Sequence, residues 1–201
     1  MSALPRLLVL TDRHATRAPL VETVAHAVDG GARAVVLREK GLGGTEREAL
    51  AVRLAELLAP VGGLLIAASW PVRPATAVHL AAADRLPPAA LFDVVGRSCH
   101  DESEVDAASV EGLDYLTVSP VYASASKLGY GPPLGTGGLA ALCRRTPVPV
   151  YALGGVTRGN AASCLDAGAA GVAVMGEIMR AEDPARVVAE LLAELSREVT
   201  A

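Results

Sequence analysis

Arg38 and Lys40 follow the apolar run 34–37 and are separated by Glu39. Side chains alternate between faces in extended chain, so both cations fall on one side, where they suit a diphosphate, a carboxylate or a solvated strand end. Ser98 and His100 have the same alternate spacing, so one can face a cavity with the other. Histidine, with an unperturbed pKa of about 6.5, takes and returns protons at neutral pH. Gly154 and Gly155 end a short apolar run beginning at Val148, residues 157–160 could open a helix, and the unit 169–178 repeats the strand-then-glycine arrangement with Gly176. Lacking Cβ atoms, such turns let backbone N–H groups approach a phosphate, although a Gly-Gly pair also suits an ordinary strand-to-helix turn. The tandem favours phosphate. Asp84 follows the run 76–80, where a carboxylate can take a Mg2+ ion or cap the next short helix. His79 lies inside that run and reads as a packed, hydrogen-bonded residue whose facing side the sequence does not fix. Ser124, Ser126 and Lys127 sit in the glycine-rich segment 119–135. A connection that long in a compact domain is commonly functional; its plainer reading is a surface loop with a chance lysine.

The elements that must position these residues alternate along the chain. Apolar runs at 7–11, 34–37, 64–67, 76–80, 92–96 and 113–118 precede the two glycine-ended units, giving eight strand candidates. Helical spacing at 20–29, 45–58 and 183–199 supplies crossovers. The polar residues cluster at the C-terminal ends of the strands, which predicts an α/β fold, a single (β/α)8 TIM barrel over residues 1–201. Residues 68–75 include Pro71 and Pro74 and are too few for a crossover helix of about 12 residues, so the third β/α unit is expected to be shortened, with Trp70 covering the gap.

Hydrophobic residues make up 51% and aromatics 3% of the 201 residues, so a core of Ala, Val and Leu is expected. No apolar run of about 18 residues occurs and residues 1–6 lack a signal-peptide pattern, which predicts a cytoplasmic protein without a membrane partner. The formal net charge of −4 offers no footprint for nucleic acid, and Cys99, Cys143 and Cys164 share no metal-ligand spacing. A small molecule is the expected partner; a homo-oligomer is compatible with the sequence, which does not set the number of copies.

The motifs LTDR (10–13), LREK (37–40), VHL (78–80) with Asp84, GRSCH (96–100), DYLTVSPVYASASK (114–127), ALGGV (152–156) with Asn160 and GVAVMGEI (171–178) occur together and in order. In them the chain resembles the thiamine phosphate synthase and thiazole tautomerase family of small (β/α)8 barrels, from about Leu7 to Pro184. The resemblance implies a thiazole phosphate substrate whose phosphate is held by backbone amides near Gly154, Gly155, Met175 and Gly176. Ser124 and Ser126 stand where the synthase pattern has two threonines, and Lys127 matches its lysine; these three would form a closing loop. The pyrimidine half departs from the pattern. Of a Gln-x-Arg-x-Lys run the chain keeps Arg38 and Lys40 with Val36 in place of Gln; Ala67-Ala68-Ser69 replaces an Asn-Asp pair; and Ala81, Ala82 and Asp84 stand for a Gly-Gln-x-Asp run. With one Mg2+ carboxylate missing, the expectation is a thiazole tautomerase-like isomerase that needs no metal. In that reading His100 is the acid/base, and Arg38 and Lys40 orient the substrate carboxylate. The alternatives are a thiamine phosphate synthase, a transferase using Mg2+ at Asp84, and a non-catalytic thiazole or thiamine phosphate binder.

Overall fold

The computed structural model describes residues 4–123 and 132–197. Strands β1 (Leu7–Leu10), β2 (Ala34–Leu37), β3 (Leu64–Ala68), β4 (Ala77–Leu80), β5 (Val94–Cys99), β6 (Tyr115–Val118), β7 (Val150–Leu153) and β8 (Gly171–Val174) pair in parallel, each with the next, and β8 closes on β1. Helices α1 (Leu20–Asp29), α2 (Gly44–Leu58), α3 (Glu102–Ala108), α4 (Gly135–Cys143), α5 (Ala161–Asp166), α6 (Gly176–Met179) and α7 (Pro184–Leu195) lie outside. The expected (β/α)8 barrel is therefore the observed one. Each outer helix buries one stripe: α2 does so with Arg47, Ala51, Leu54 and Leu58, spaced at the helical period. Side-chain caps start two helices where the sequence crowds acids. Asp101 accepts from the Glu104 N–H at 2.9 Å and Asp183 from the Arg186 N–H at 2.9 Å.

No helix separates β3 from β4, as the short prolyl connection requires, and only the single turn Ala89–Leu91 separates β4 from β5. Trp70 does not cover the gap. It is 69% exposed, and the buried side chain there is Val72. β5 runs three residues beyond the expected end at Gly96, and Arg97 is buried on its outer face rather than released into a loop.

The barrel interior departs from an all-aliphatic core. Leu8, Val36, Ile66 and Val94 share it with Tyr115 and Tyr151, whose rings meet edge to face with centroids 5.5 Å apart. Gly96 makes room: a Cβ there would run into the Tyr115 ring. The tyrosines fill the lower barrel and leave the upper mouth to the site.

Candidate active site

A cavity of about 1180 Å³ opens at the C-terminal ends of the strands. The alternation argued for β2 holds: Arg38 and Lys40 both line the cavity, while Glu39 turns away, buried, and pairs with Arg13 at 3.3 Å. Thr11 accepts the Arg38 N–H at 2.9 Å, so the end of β1 fixes the backbone from which that guanidinium projects. The guanidinium approaches the Met175 sulfur at 3.9 Å. Among the described residues no carboxylate pairs with it.

Ser98 and His100 also line the cavity. The parallel register sets His79 of β4 beside Gly96, and Ser98 of β5 beside Thr117 of β6. That register turns His79 inward. Its Nδ1 lies 2.9 Å from the Tyr115 hydroxyl and its Nε2 2.9 Å from Ser98 Oγ, with Thr117 Oγ1 at 3.3 Å. Burial pushes the Tyr115 pKa far up, so its hydroxyl keeps its proton and serves as the donor to Nδ1. Nε2–H then donates to Ser98 Oγ, and the serine proton is left to point at a substrate. Sequence reasoning missed this relay, because its members meet only through strand register.

Burial lowers the His79 pKa to about 4, with the nearby Arg97 lowering it further and Asp84 opposing. The imidazole is thus neutral in the fold and charges more readily in the unfolded chain. Stability from this group is complete above about pH 6.5 and falls as the pH drops toward 4, because the unfolded chain then binds the extra proton. The expected slope is at most about 1.4 kcal/mol per pH unit. Urea unfolding at pH 7 and pH 5 should show the loss, and His79→Gln should flatten it; an equal pH dependence in the variant would disprove the origin.

His100 is fixed differently. Glu104 of α3 accepts the His100 N–H at 2.7 Å and meets its Nδ1 at 2.9 Å through the same carboxylate oxygen. Cys99, between Ser98 and His100, faces outward and is buried, with its pKa pushed up to about 12, so it is no nucleophile at neutral pH.

Gly154 and Gly155 have φ of 92° and 65°, the left-handed region. The segment after β6 presses on them: a Cβ on Gly155 would lie 2.5 Å from the Ala123 carbonyl oxygen and 2.7 Å from Tyr122 Cβ. Residues 157–160 form a turn, and the helix starts only at Ala161. Asn160 braces that turn, donating to the Gly155 carbonyl at 3.0 Å and accepting the Thr157 N–H at 2.7 Å. Met175 and Gly176 end β8 beside it and line the same cavity. Ser124, Ser126 and Lys127 lie outside the described residues.

Two arginines outside the barrel shape the β3–β4 side. Arg47 donates to the carbonyls of Ala68 at 2.7 Å and Trp70 at 3.0 Å, clamping a tight turn in which Ser69 has φ of 61°. Arg97 donates to the carbonyls of Ala81, Ala82 and Asp84 at 3.2, 2.9 and 2.9 Å and pairs with Glu111 at 2.8 Å. Asp84 accepts the Ala81 N–H at 2.7 Å through Oδ2. Its other oxygen has no partner among the described residues. Those residues contain no cluster of three or more His, Cys, Asp or Glu able to hold a metal ion. Asp84 is not among the residues that line the cavity, whereas Ala81, Ala82 and Ala83 of the same turn are. Mg2+ bound to a substrate diphosphate needs only one or two protein carboxylates, the rest of its shell being phosphate oxygens and water, so the second Asp84 oxygen could serve from the edge of the site.

The chain matches the thiamine monophosphate synthase family over residues 7–178. It is 39% identical over 191 residues to a thiamine-phosphate synthase of Albidiferax ferrireducens, covering 89% of this chain and 86% of that one. A thiamine-phosphate synthase of Haloarcula marismortui is 36% identical over 177 residues, covering 82% and 83%. Among solved structures, the thiamine phosphate pyrophosphorylase of Pyrococcus furiosus superposes with a TM-score of 0.85 at 28% identity, covering 98% of this chain and 97% of that one. These relatives overturn the expectation of a thiazole tautomerase, and with it the isomerase: what they support is a transferase. That expectation rested on lost pyrimidine-side residues. The space beside them is nevertheless open, since Ala68, Ser69, Ala81 and Ala82 line the cavity and Trp70 projects to solvent instead of filling it.

Proposed function

The chain belongs to the thiamine monophosphate synthase family, and on that premise we propose that it joins a pyrimidine methyl diphosphate to a thiazole phosphate, releasing pyrophosphate. One observation carries the reading: a single cavity is lined both by a cationic pair after β2, with no carboxylate partner among the described residues, and by two glycine turns after β7 and β8. Such a cavity can hold two separate anionic groups at once, as a transfer between two phosphorylated substrates requires.

Arg38 and Lys40 bind the diphosphate and stabilise the charge that grows on it as the bond to the methylene carbon breaks. The amides around Gly155 and Gly176 bind the thiazole phosphate and bring the ring nitrogen toward that carbon. Ser98, held by His79, presents its hydroxyl proton to the pyrimidine. His100 lines the cavity as a contact to substrate; the bond formed at the thiazole nitrogen removes no proton, so no base is required. Asp84 is the residue that would hold Mg2+, and the chemistry the ion would supply is neutralisation of the departing charge.

Purified protein given both substrates and Mg2+ should form thiamine phosphate and pyrophosphate in equal amounts by chromatography. Chelation by EDTA should stop both. Pyrophosphate without thiamine phosphate, or neither product, would refute the assignment.

A further inference from the structure

Three arginines, Arg158, Arg180 and Arg186, line the wall of the cavity next to the β7 and β8 turns. Two of them are neutralised. Arg158 pairs with Glu177 at 2.8 Å and also with Glu190, and Arg186 pairs with Glu190 at 2.8 Å. The guanidinium of Arg180 has no acceptor among the described residues, although acids lie close to it in sequence. Glu177 is taken by Arg158, Glu182 by Arg17 at 2.8 Å, and Asp183 caps α7 through the Arg186 N–H at 2.9 Å.

Arg180 is exposed, but its guanidinium is folded back onto the β8 turn. It lies against Gly176, in the space a side chain there would fill: a Cβ would come within 2.7 Å of Nη1 and 2.8 Å of Cζ. Arg180 is also tethered through its backbone, where its carbonyl accepts from Arg17 Nε at 3.1 Å. A full positive charge therefore rests beside the glycine of the β8 turn, lining the cavity, without a counter-charge among the described residues. We propose that Arg180 is a substrate-binding residue that pairs with the phosphate ester of the thiazole substrate, and that Gly176 serves two purposes, exposing its amide and giving the guanidinium its seat. The assignment rests on the proposed synthase reading for the identity of the ligand. It also makes the phosphate, rather than the ring, the group this chain selects.

The test is calorimetric binding of the thiazole phosphate and of the corresponding thiazole alcohol to wild type, Arg180→Met and Arg180→Lys, with melting temperatures as a control on folding. Loss of a charge-assisted pair should weaken phosphate binding about tenfold in the methionine variant, with a smaller loss for lysine, and leave alcohol binding unchanged. Equal phosphate affinity in wild type and Arg180→Met, or an equal loss for the alcohol, would overturn the role of Arg180. Wild type that binds the phosphate but makes no thiamine phosphate would instead refute the synthase reading and leave the binding comparison to decide Arg180. Wild type that binds neither compound would overturn both.

Discussion

Arg38→Met is expected to lower kcat for thiamine phosphate formation about 10²–10³-fold at saturating concentrations of both substrates, the range found when one preorganised charge-stabilising donor is removed. The reason is positional. Arg38 is partly buried at the mouth of the barrel, its backbone is fixed by Thr11, and its guanidinium is uncommitted to any carboxylate among the described residues. A cation so placed meets more charge in the transition state than in the bound substrate, because breaking the carbon–oxygen bond loads the diphosphate. The loss should accordingly appear in kcat more than in KM for the pyrimidine diphosphate. Lys40 is exposed, so Lys40→Met should cost less. Arg38→Lys should recover only part, since a point charge replaces a planar fork. Steady-state assays of pyrophosphate release decide the matter; a kcat for Arg38→Met within threefold of wild type would remove Arg38 from leaving-group stabilisation.

Gly155→Ala should raise KM for the thiazole phosphate at least about tenfold and lower the melting temperature. A left-handed conformation costs a non-glycine residue about 1–2 kcal/mol, and 1.4 kcal/mol is a factor of ten in binding. The new methyl group also meets the Ala123 carbonyl and Tyr122 Cβ, so the β6 segment must back away from the turn it supports. Both effects displace the amides proposed to hold the phosphate. Gly159→Ala, four residues on, is the internal control: its Cβ would meet only Thr157 Oγ1 at 3.8 Å, and it should behave as wild type. Unchanged KM in Gly155→Ala, measured beside that control, would mean that the β7 turn does not hold the phosphate.

The barrel was legible because its signals are local. Apolar runs ending in polar or glycine residues recur eight times, and period-two alternation on β2 separates Arg38 and Lys40 from Glu39, as observed. The prolines at 71 and 74 excluded a crossover helix without reference to anything distant. Residues whose partners lie far along the chain were not legible. Arg47 reads as one more charge on an amphipathic helix until β3 is packed beside it, and Arg97 reads as the polar end of a strand until the carbonyls after β4 surround it. The functional expectation failed in the same way. The missing Asn-Asp pair is a local absence, whereas the space for the second substrate is a property of the closed mouth.

By itself, the sequence determined the order of eight strands, the trimmed third unit, the facing of the β2 cations and the glycine turns after β7 and β8. Each follows from side-chain periodicity or from what glycine and proline permit within a few residues. The tertiary structure alone decided that His79 points inward to Ser98, that Trp70 leaves the cavity open, and that Arg180 rests against Gly176 without a counter-ion among the described residues. Those outcomes depend on inter-strand register, barrel closure and packing geometry, which bring together groups whose spacing along the chain carries no period to read.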